Sequence, residues 1–181
     1  VDQRFQGLQT WLLDTPMPRP PIETWTDYPA FHRTAAILEA RYRAAPTKRA
    51  AHNVVAEEVD ECCLVLRQGF VSNLWTCGWS APTYDAWWQC QSEEASYRHY
   101  YRCMQLIGSN EPQRRWLLKN PGHIDNLDLL FAFFPDAKVI QTHRDPARAL
   151  PSLCALLMQL HPIMEEGRYE QRAHNMLARE V

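Results

Sequence analysis

Lys138-Val139-Ile140-Gln141-Thr142-His143-Arg144-Asp145-Pro146, with Ser152 eight residues after Arg144, is the stretch on which the fold is read. Val139 and Ile140 are β-branched and suit a buried strand, while Asp145-Pro146 supplies an N-cap acceptor followed by a proline at the first helical position. A strand therefore runs straight into a helix, and the Arg144 guanidinium leaves the strand end beside the helix N-terminus. Ser152 lies on the same side, because eight residues of helix rotate only about 80° past two full turns. An arginine fork and a hydroxyl so spaced can hold one phosphate without a glycine-rich loop. The residues alone leave a second reading open, in which Arg144 pairs with Asp145 and Ser152 has no ligand.

Upstream, Arg115 to Lys119 reads as another buried strand, and Gly122 to Phe133 as a helix carrying Ile124, Leu127, Leu130 and Phe131. Pro146 to Leu160 is the helix after the second strand. Strand, helix, strand and helix with short connections imply parallel strands and right-handed crossovers, the doubly wound α/β class. Ligands in such sheets bind at the carboxyl ends of the strands, and Lys119 to His123 and Thr142 to Pro146 both fall there.

The first two-thirds of the chain reads as mainly helical. The spacing predicts a helix from Tyr28 to Ala45 with Phe31, Ala35, Leu38 and Tyr42 on one face, and another from Asn53 to Gln68. Thr83 can cap a long helix that ends at Ile107 before Gly108. Pro16, Pro18, Pro20 and Pro21 predict an extended surface wrap over residues 13 to 27, and Gly69 to Pro82 reads as an aromatic loop.

With 46% hydrophobic and 22% charged residues, the 181-residue chain has the composition of one globular domain. A net charge of −2, with no basic stripe, removes any general case for binding nucleic acid or a membrane surface. No apolar run approaches the roughly 18 residues of a membrane helix. Cys62, Cys63, Cys77, Cys90, Cys103 and Cys154 contain no Cys-x-x-Cys pair, which argues for reduced, mostly buried thiols and against a zinc site or a disulfide framework.

Phe133-Phe134-Pro135-Asp136-Ala137 leading into Lys138 to Pro146, with Pro151-Ser152-Leu153, resembles the 3′-phosphate-binding segment of sulfotransferases that use 3′-phosphoadenosine-5′-phosphosulfate (PAPS), the bacterial-type family above all. Trp116-Leu117-Leu118-Lys119-Asn120-Pro121-Gly122-His123 resembles that family's strand-end segment near the transferred sulfuryl group. The resemblance covers residues 115 to 155. It implies a P-loop NTPase-like doubly wound parallel sheet, PAPS as co-substrate and an acceptor bearing a hydroxyl or amine, while the reduced thiols and the lack of spaced metal ligands argue for a cytoplasmic location and no metal. Residues 1–110 then form a mainly helical acceptor side and 111–181 a βαβα nucleotide-binding part of one domain. Arg144 and Ser152 are the expected ligands of the 3′-phosphate. Lys119 is placed to neutralise charge on the departing phosphate, and His123 to take the acceptor's proton, since imidazole titrates near neutrality. In related sulfotransferases a glutamate near the 5′-phosphosulfate loop can serve as base instead.

That loop, of the type Gly-x-Pro-Arg-x-Gly-Thr-Thr, has no counterpart here. The six glycines, at 7, 69, 78, 108, 122 and 167, are scattered, whereas a phosphate cradle needs them close together so that backbone N–H groups can approach the oxygens. The expectation is an incomplete form of the enzyme, a fragment or a product that has lost its first strand-to-helix unit, and inactive alone. A non-catalytic remnant serving as a nucleotide-binding or interaction module is the alternative. A P-loop kinase is disfavoured because no Gly-Lys-[Ser/Thr] element occurs. Glu57, Glu58, Asp60 and Glu61 read as a solvated helical face, with Glu57 or Glu58 near the acceptor as the minority alternative. Trp75, Trp79, Trp87 and Trp88 read as core, with an acceptor cavity as the other possibility, and His143 reads as structural.

Overall fold

Two short strands, β1 (Phe5–Gln6) and β2 (Arg115–Trp116), pair in parallel, Phe5 opposite Arg115 and Gln6 opposite Trp116. The computed structural model describes residues 2–44, 46, 49 and 53–164. Around the strands lie helices α1 (Thr10–Leu13), α2 (Pro29–Ala44), α3 (Cys63–Leu66), α4 (Asn73–Gly78), α5 (Pro82–Trp88), α6 (Glu94–Ile107), α7 (Leu127–Phe133) and α8 (Pro146–Met164). The result is a helix-rich α/β fold with a small parallel sheet. The partner of β2 is thus a strand near the start of the chain that its sequence pattern did not disclose.

The core forms where α1, α3 and α6 meet. Trp11, Leu12 and Leu13 of α1 are buried against Val65 and Leu66 of α3. On α6 the buried positions Ser96, Tyr97, Tyr100, Cys103, Met104 and Ile107 recur at three- and four-residue intervals, one continuous face. Helix α2 packs on α1 as expected: Tyr42 is buried and Phe31 packs edge-on to Trp11 at 5.9 Å.

Several segments depart from the sequence pattern for identifiable reasons. Residues 53 to 62 are not helical. The backbone N–H groups of Thr10 and Trp11, left without helical partners at the start of α1, donate to the carbonyls of Glu58 (2.9 Å) and Ala56 (3.2 Å), and this pairing holds the segment in a turn, closed by Glu58 N–H on the Val55 carbonyl at 3.3 Å, rather than a helix. The predicted long helix from Thr83 breaks into α5 and α6 at Gln89 to Glu93, where the Ser92 hydroxyl accepts from Glu94 N–H at 3.2 Å and restarts the helix. The aromatic stretch after Gly69 contains α4, because Ser72 caps it by accepting from Leu74 N–H at 3.3 Å. Residues 14 to 21 lack regular structure and lie mostly at the surface, as the prolines require, but the rest of the stretch departs from a surface wrap. Ile22–Asp27 form a 3-10 helix with Trp25 buried, and Arg19 is buried as well.

The predicted buried strand at Lys138 to Thr142 is the clearest correction. These residues have no regular structure, and Ile140 is 91% exposed. A strand needs a neighbour to satisfy its backbone, and among the described residues the sheet consists of β1 and β2 alone. Of the six free cysteines, Cys62 and Cys103 are buried, whereas Cys90 is exposed and the others are half-buried.

Arg19 ties the sheet to the proline-rich segment. Its guanidinium donates to Gln6 Oε1 (2.8 Å), to Glu111 Oε2 (3.1 Å) and to the Gly7 carbonyl, and lies over the Trp116 ring at 5.3 Å. Burial works to raise the Glu111 carboxyl, but hydrogen bonds from Arg114 and Arg19 outweigh it and hold that carboxyl below its ordinary value. Arg19→Ala strands Gln6 and the Gly7 carbonyl beneath the sheet and is expected to cost about 3–5 kcal/mol of stability. Urea denaturation measures this, and a loss below about 1 kcal/mol would show the cluster to be dispensable.

Candidate active site

The carboxyl end of β2 leads through Leu117 and Leu118 to Lys119, whose carbonyl accepts from both the backbone N–H and the Sγ–H of Cys62, each at 3.2 Å. The start of α3 therefore fixes where the strand end stops. Asn120 then caps a 3-10 helix, Pro121–Asn126, its Oδ1 accepting from Gly122 N–H at 3.1 Å. The expected helix from Gly122 to Phe133 is thus a 3-10 turn followed by α7. Pro121 enters at a position where no N–H is needed.

Lys119 projects into solvent, its side chain 68% exposed, and its ammonium forms an ion pair with Glu61. Glu61 precedes α3 and was read as part of a solvated acidic face. Only the tertiary contact between residues 61 and 119 singles it out.

His123 points inward on the same turn. Its Nδ1 lies 2.7 Å from the Tyr97 hydroxyl and its Nε2 3.6 Å from Cys62 Sγ. The ring also packs against Tyr97 and Tyr100, with centroids at 5.6 and 5.9 Å. One tautomer satisfies all partners: Tyr97 O–H donates to Nδ1, Nε2–H donates to Sγ, and Sγ–H donates to the Lys119 carbonyl. Burial drives the imidazole down to about 4 and the Cys62 thiol up to about 11. At neutral pH the pair is uncharged, so it is neither a thiolate nucleophile nor an imidazolium.

Gly122 allows α4 to approach this turn. A Cβ at Gly122 would lie 2.3 Å from Asn73 Nδ2, the first residue of α4. On its other side α4 packs on α8, the helix that carries Ser152. The Lys119 turn and α8 thus border one short helix.

At the second cluster, Asp145 is the N-cap that the sequence indicated: its Oδ1 accepts from Ala147 N–H at 3.0 Å. With Asp145 so engaged, no carboxylate among the described residues pairs with Arg144. Arg144 and Ser152 are both exposed. No contact joins their side chains directly, and about 12 Å of helix rise separates their positions. His143 is exposed too.

A model of the sulfotransferase family matches residues 7–180. Among solved structures, sulfotransferase STF1 from Mycobacterium tuberculosis H37Rv is similar at 33% identity with a TM-score of 0.82, over 99% of this chain and 49% of that one. Sulfotransferase STF9 from Mycobacterium avium shares the fold at 23% identity and a TM-score of 0.75, over 98% of this chain and 47% of that one. The chain spans about half the length of these relatives. No curated protein matches it.

The neutral, buried state of His123 has a measurable consequence. Between pH 6.5 and about 4 the unfolded chain takes up a proton at this ring that the folded chain refuses. Stability from the ring is therefore complete above that window and lost as pH falls through it, by at most about 3 kcal/mol. Thermal melts of wild type and His123→Phe at pH 7 and pH 5 should show the larger pH-dependent loss in wild type. Equal losses would mean that the ring titrates normally.

Proposed function

The chain belongs to the sulfotransferase family, and on that premise we propose that it supplies the 3′-phosphate contacts and part of the reacting centre for sulfuryl transfer from PAPS to an acceptor hydroxyl. The observation that carries this reading is the start of α8: Asp145 spends its carboxylate on the cap, leaving Arg144 exposed and unpaired by any described carboxylate. Arg144 and Ser152 bracket the first two turns of α8, and a helix N-terminus favours an anion. We assign both to the 3′-phosphate. The parallel β1–β2 pair is consistent with a P-loop NTPase-like doubly wound sheet.

In the reaction, the acceptor oxygen attacks sulfur in line, the bond from sulfur to the bridging phosphate oxygen breaks, and adenosine 3′,5′-bisphosphate departs. Positive charge near the bridging oxygen is the main requirement, and Lys119 is the exposed cation at the strand end. The acceptor's proton passes to a carboxylate, for which we assign Glu61, the partner of Lys119. His123 is the weaker base, since both nitrogens are engaged and burial lowers its proton affinity; its role is to position the turn. A second reading, a nucleotide-binding module without turnover, draws on the lack of a glycine-rich loop in these 181 residues. On either reading these residues alone are expected to bind adenosine 3′,5′-bisphosphate weakly and to sulfate nothing.

Titration calorimetry with adenosine 3′,5′-bisphosphate tests the phosphate site. Arg144→Ala removes charge-assisted hydrogen bonds and is expected to weaken binding about 10- to 100-fold, whereas unchanged affinity removes Arg144 from the site. For the reacting centre, Lys119→Ala in a turnover-competent form that includes a 5′-phosphosulfate loop is expected to lower kcat about 100-fold or more while leaving nucleotide affinity within about threefold. Full activity in that variant would exclude the assigned role.

A further inference from the structure

We propose that the cleft between α4, the Gln68–Phe70 turn and the α1–α2 side of the molecule is a carbohydrate subsite, in which a sugar ring of the acceptor stacks on Trp75 and Trp79. The inference rests on the sulfotransferase reading above and adds the class of acceptor. The cleft has a volume of about 610 Å³ and is open to solvent. Trp75 and Trp79 line it together, with ring centroids 5.0 Å apart and planes inclined at 34°.

These rings are not spare core. Trp11, Tyr97 and Tyr100 are sealed in the interior, whereas both cleft tryptophans stay half-exposed and Phe70 at the rim is 57% exposed. Phe70 also holds a left-handed backbone, φ 65°, the sole non-glycine residue with positive φ among those described. Such a conformation costs roughly 1–3 kcal/mol and persists where the surroundings enforce it. Here the Arg67 carbonyl enforces it, accepting from Phe70 N–H at 2.9 Å and from Trp75 Nε1–H at 3.1 Å. An apolar ring is thereby kept out of the core and beside the tryptophans.

The rim decides the ligand. Asp14 and Arg67 pair at 3.2 Å on one side, and Arg41 also lines the cleft. A lipid chain gains most from an enclosed apolar tunnel, and an open cleft edged with charges of both signs is unlike one. A sugar ring presents an apolar C–H face to an aromatic floor and a rim of hydroxyls that donate to a carboxylate and accept from guanidinium groups. Position supports the assignment. Glu61 precedes α3 and Arg67, on the rim of the cleft, follows it, so one short helix joins the cleft to the Glu61–Lys119 pair. With one ring on the tryptophans, the acceptor in this reading carries at least a second ring that extends toward that pair, so it is a disaccharide or longer.

Saturation-transfer NMR on the 181-residue chain with maltose, cellobiose, chitobiose and the corresponding monosaccharides tests this, with Trp79→Ala and Trp79→Phe beside wild type and circular dichroism to confirm the fold. At least one disaccharide should bind more tightly than its monosaccharide. Trp79→Ala should weaken that binding about tenfold, Trp79→Phe should recover part of it, and affinity for adenosine 3′,5′-bisphosphate should stay unchanged. The proposal is overturned if no sugar in the panel binds wild type, if Trp79→Ala binds as wild type does, or if 4-methylphenol competes for the tryptophans and the sugars do not. Loss of nucleotide binding in Arg144→Ala, measured separately, reports on the sulfotransferase reading whichever way the sugars behave.

Discussion

The buried guanidinium of Arg19 is the constraint from which the rest of the architecture follows. A charge taken out of water needs partners, and the two terminal nitrogens of Arg19 engage one side chain and one carbonyl from the β1 end of the sheet and a carboxylate just before β2, while the guanidinium lies over an aromatic ring in β2 and only its Nε lacks a hydrogen bond. It thereby turns two strands of two residues each into a fixed reference frame. Short strands alone contribute few ladder hydrogen bonds, so their register depends on such side-chain anchoring.

From that frame the candidate site is only a few residues away. Lys119 lies three positions past Trp116, and its carbonyl is held by Cys62 from the start of α3. The same few residues bring Glu61 to Lys119, engage both nitrogens of His123, and end at Gly122, whose missing Cβ admits Asn73. Packing at one glycine thus connects the strand end to α4, and through α4 to the helix bearing Ser152. Electrostatics divides the labour among these groups. The exposed ion pair of Lys119 and Glu61 remains available to a charged ligand, while the buried Tyr97, His123 and Cys62 chain is neutral and serves to hold the turn.

The aromatic residues show how one residue type takes two roles according to its surroundings. Tyr97 and Tyr100, on the inner face of α6, are sealed and pack at a tilt against His123. Trp75, Trp79 and Phe70 follow a strained turn that prevents them from joining that core. The energy stored in the Phe70 backbone is small against the total burial, but it is spent where an aromatic surface of the cleft faces solvent.

Local chemistry was readable from the chain by itself. The Asp145 cap, the start of α8 at Pro146, the stop of α6 at Gly108 and the inward face of α2 all appear where the residue types place them, because caps, prolines and apolar periodicity act within a few residues. The family, too, was legible in residues 115 to 155. Long-range pairing was not. That β2 pairs with Phe5–Gln6, that residues 53 to 62 leave the helix to satisfy α1, that Glu61 meets Lys119, and that Val139 and Ile140 stand exposed all depend on which distant backbone or charge lies alongside. Strand propensity records only fitness for a pleated, half-buried surface, and whether a neighbour exists to form that surface is a property of the folded chain.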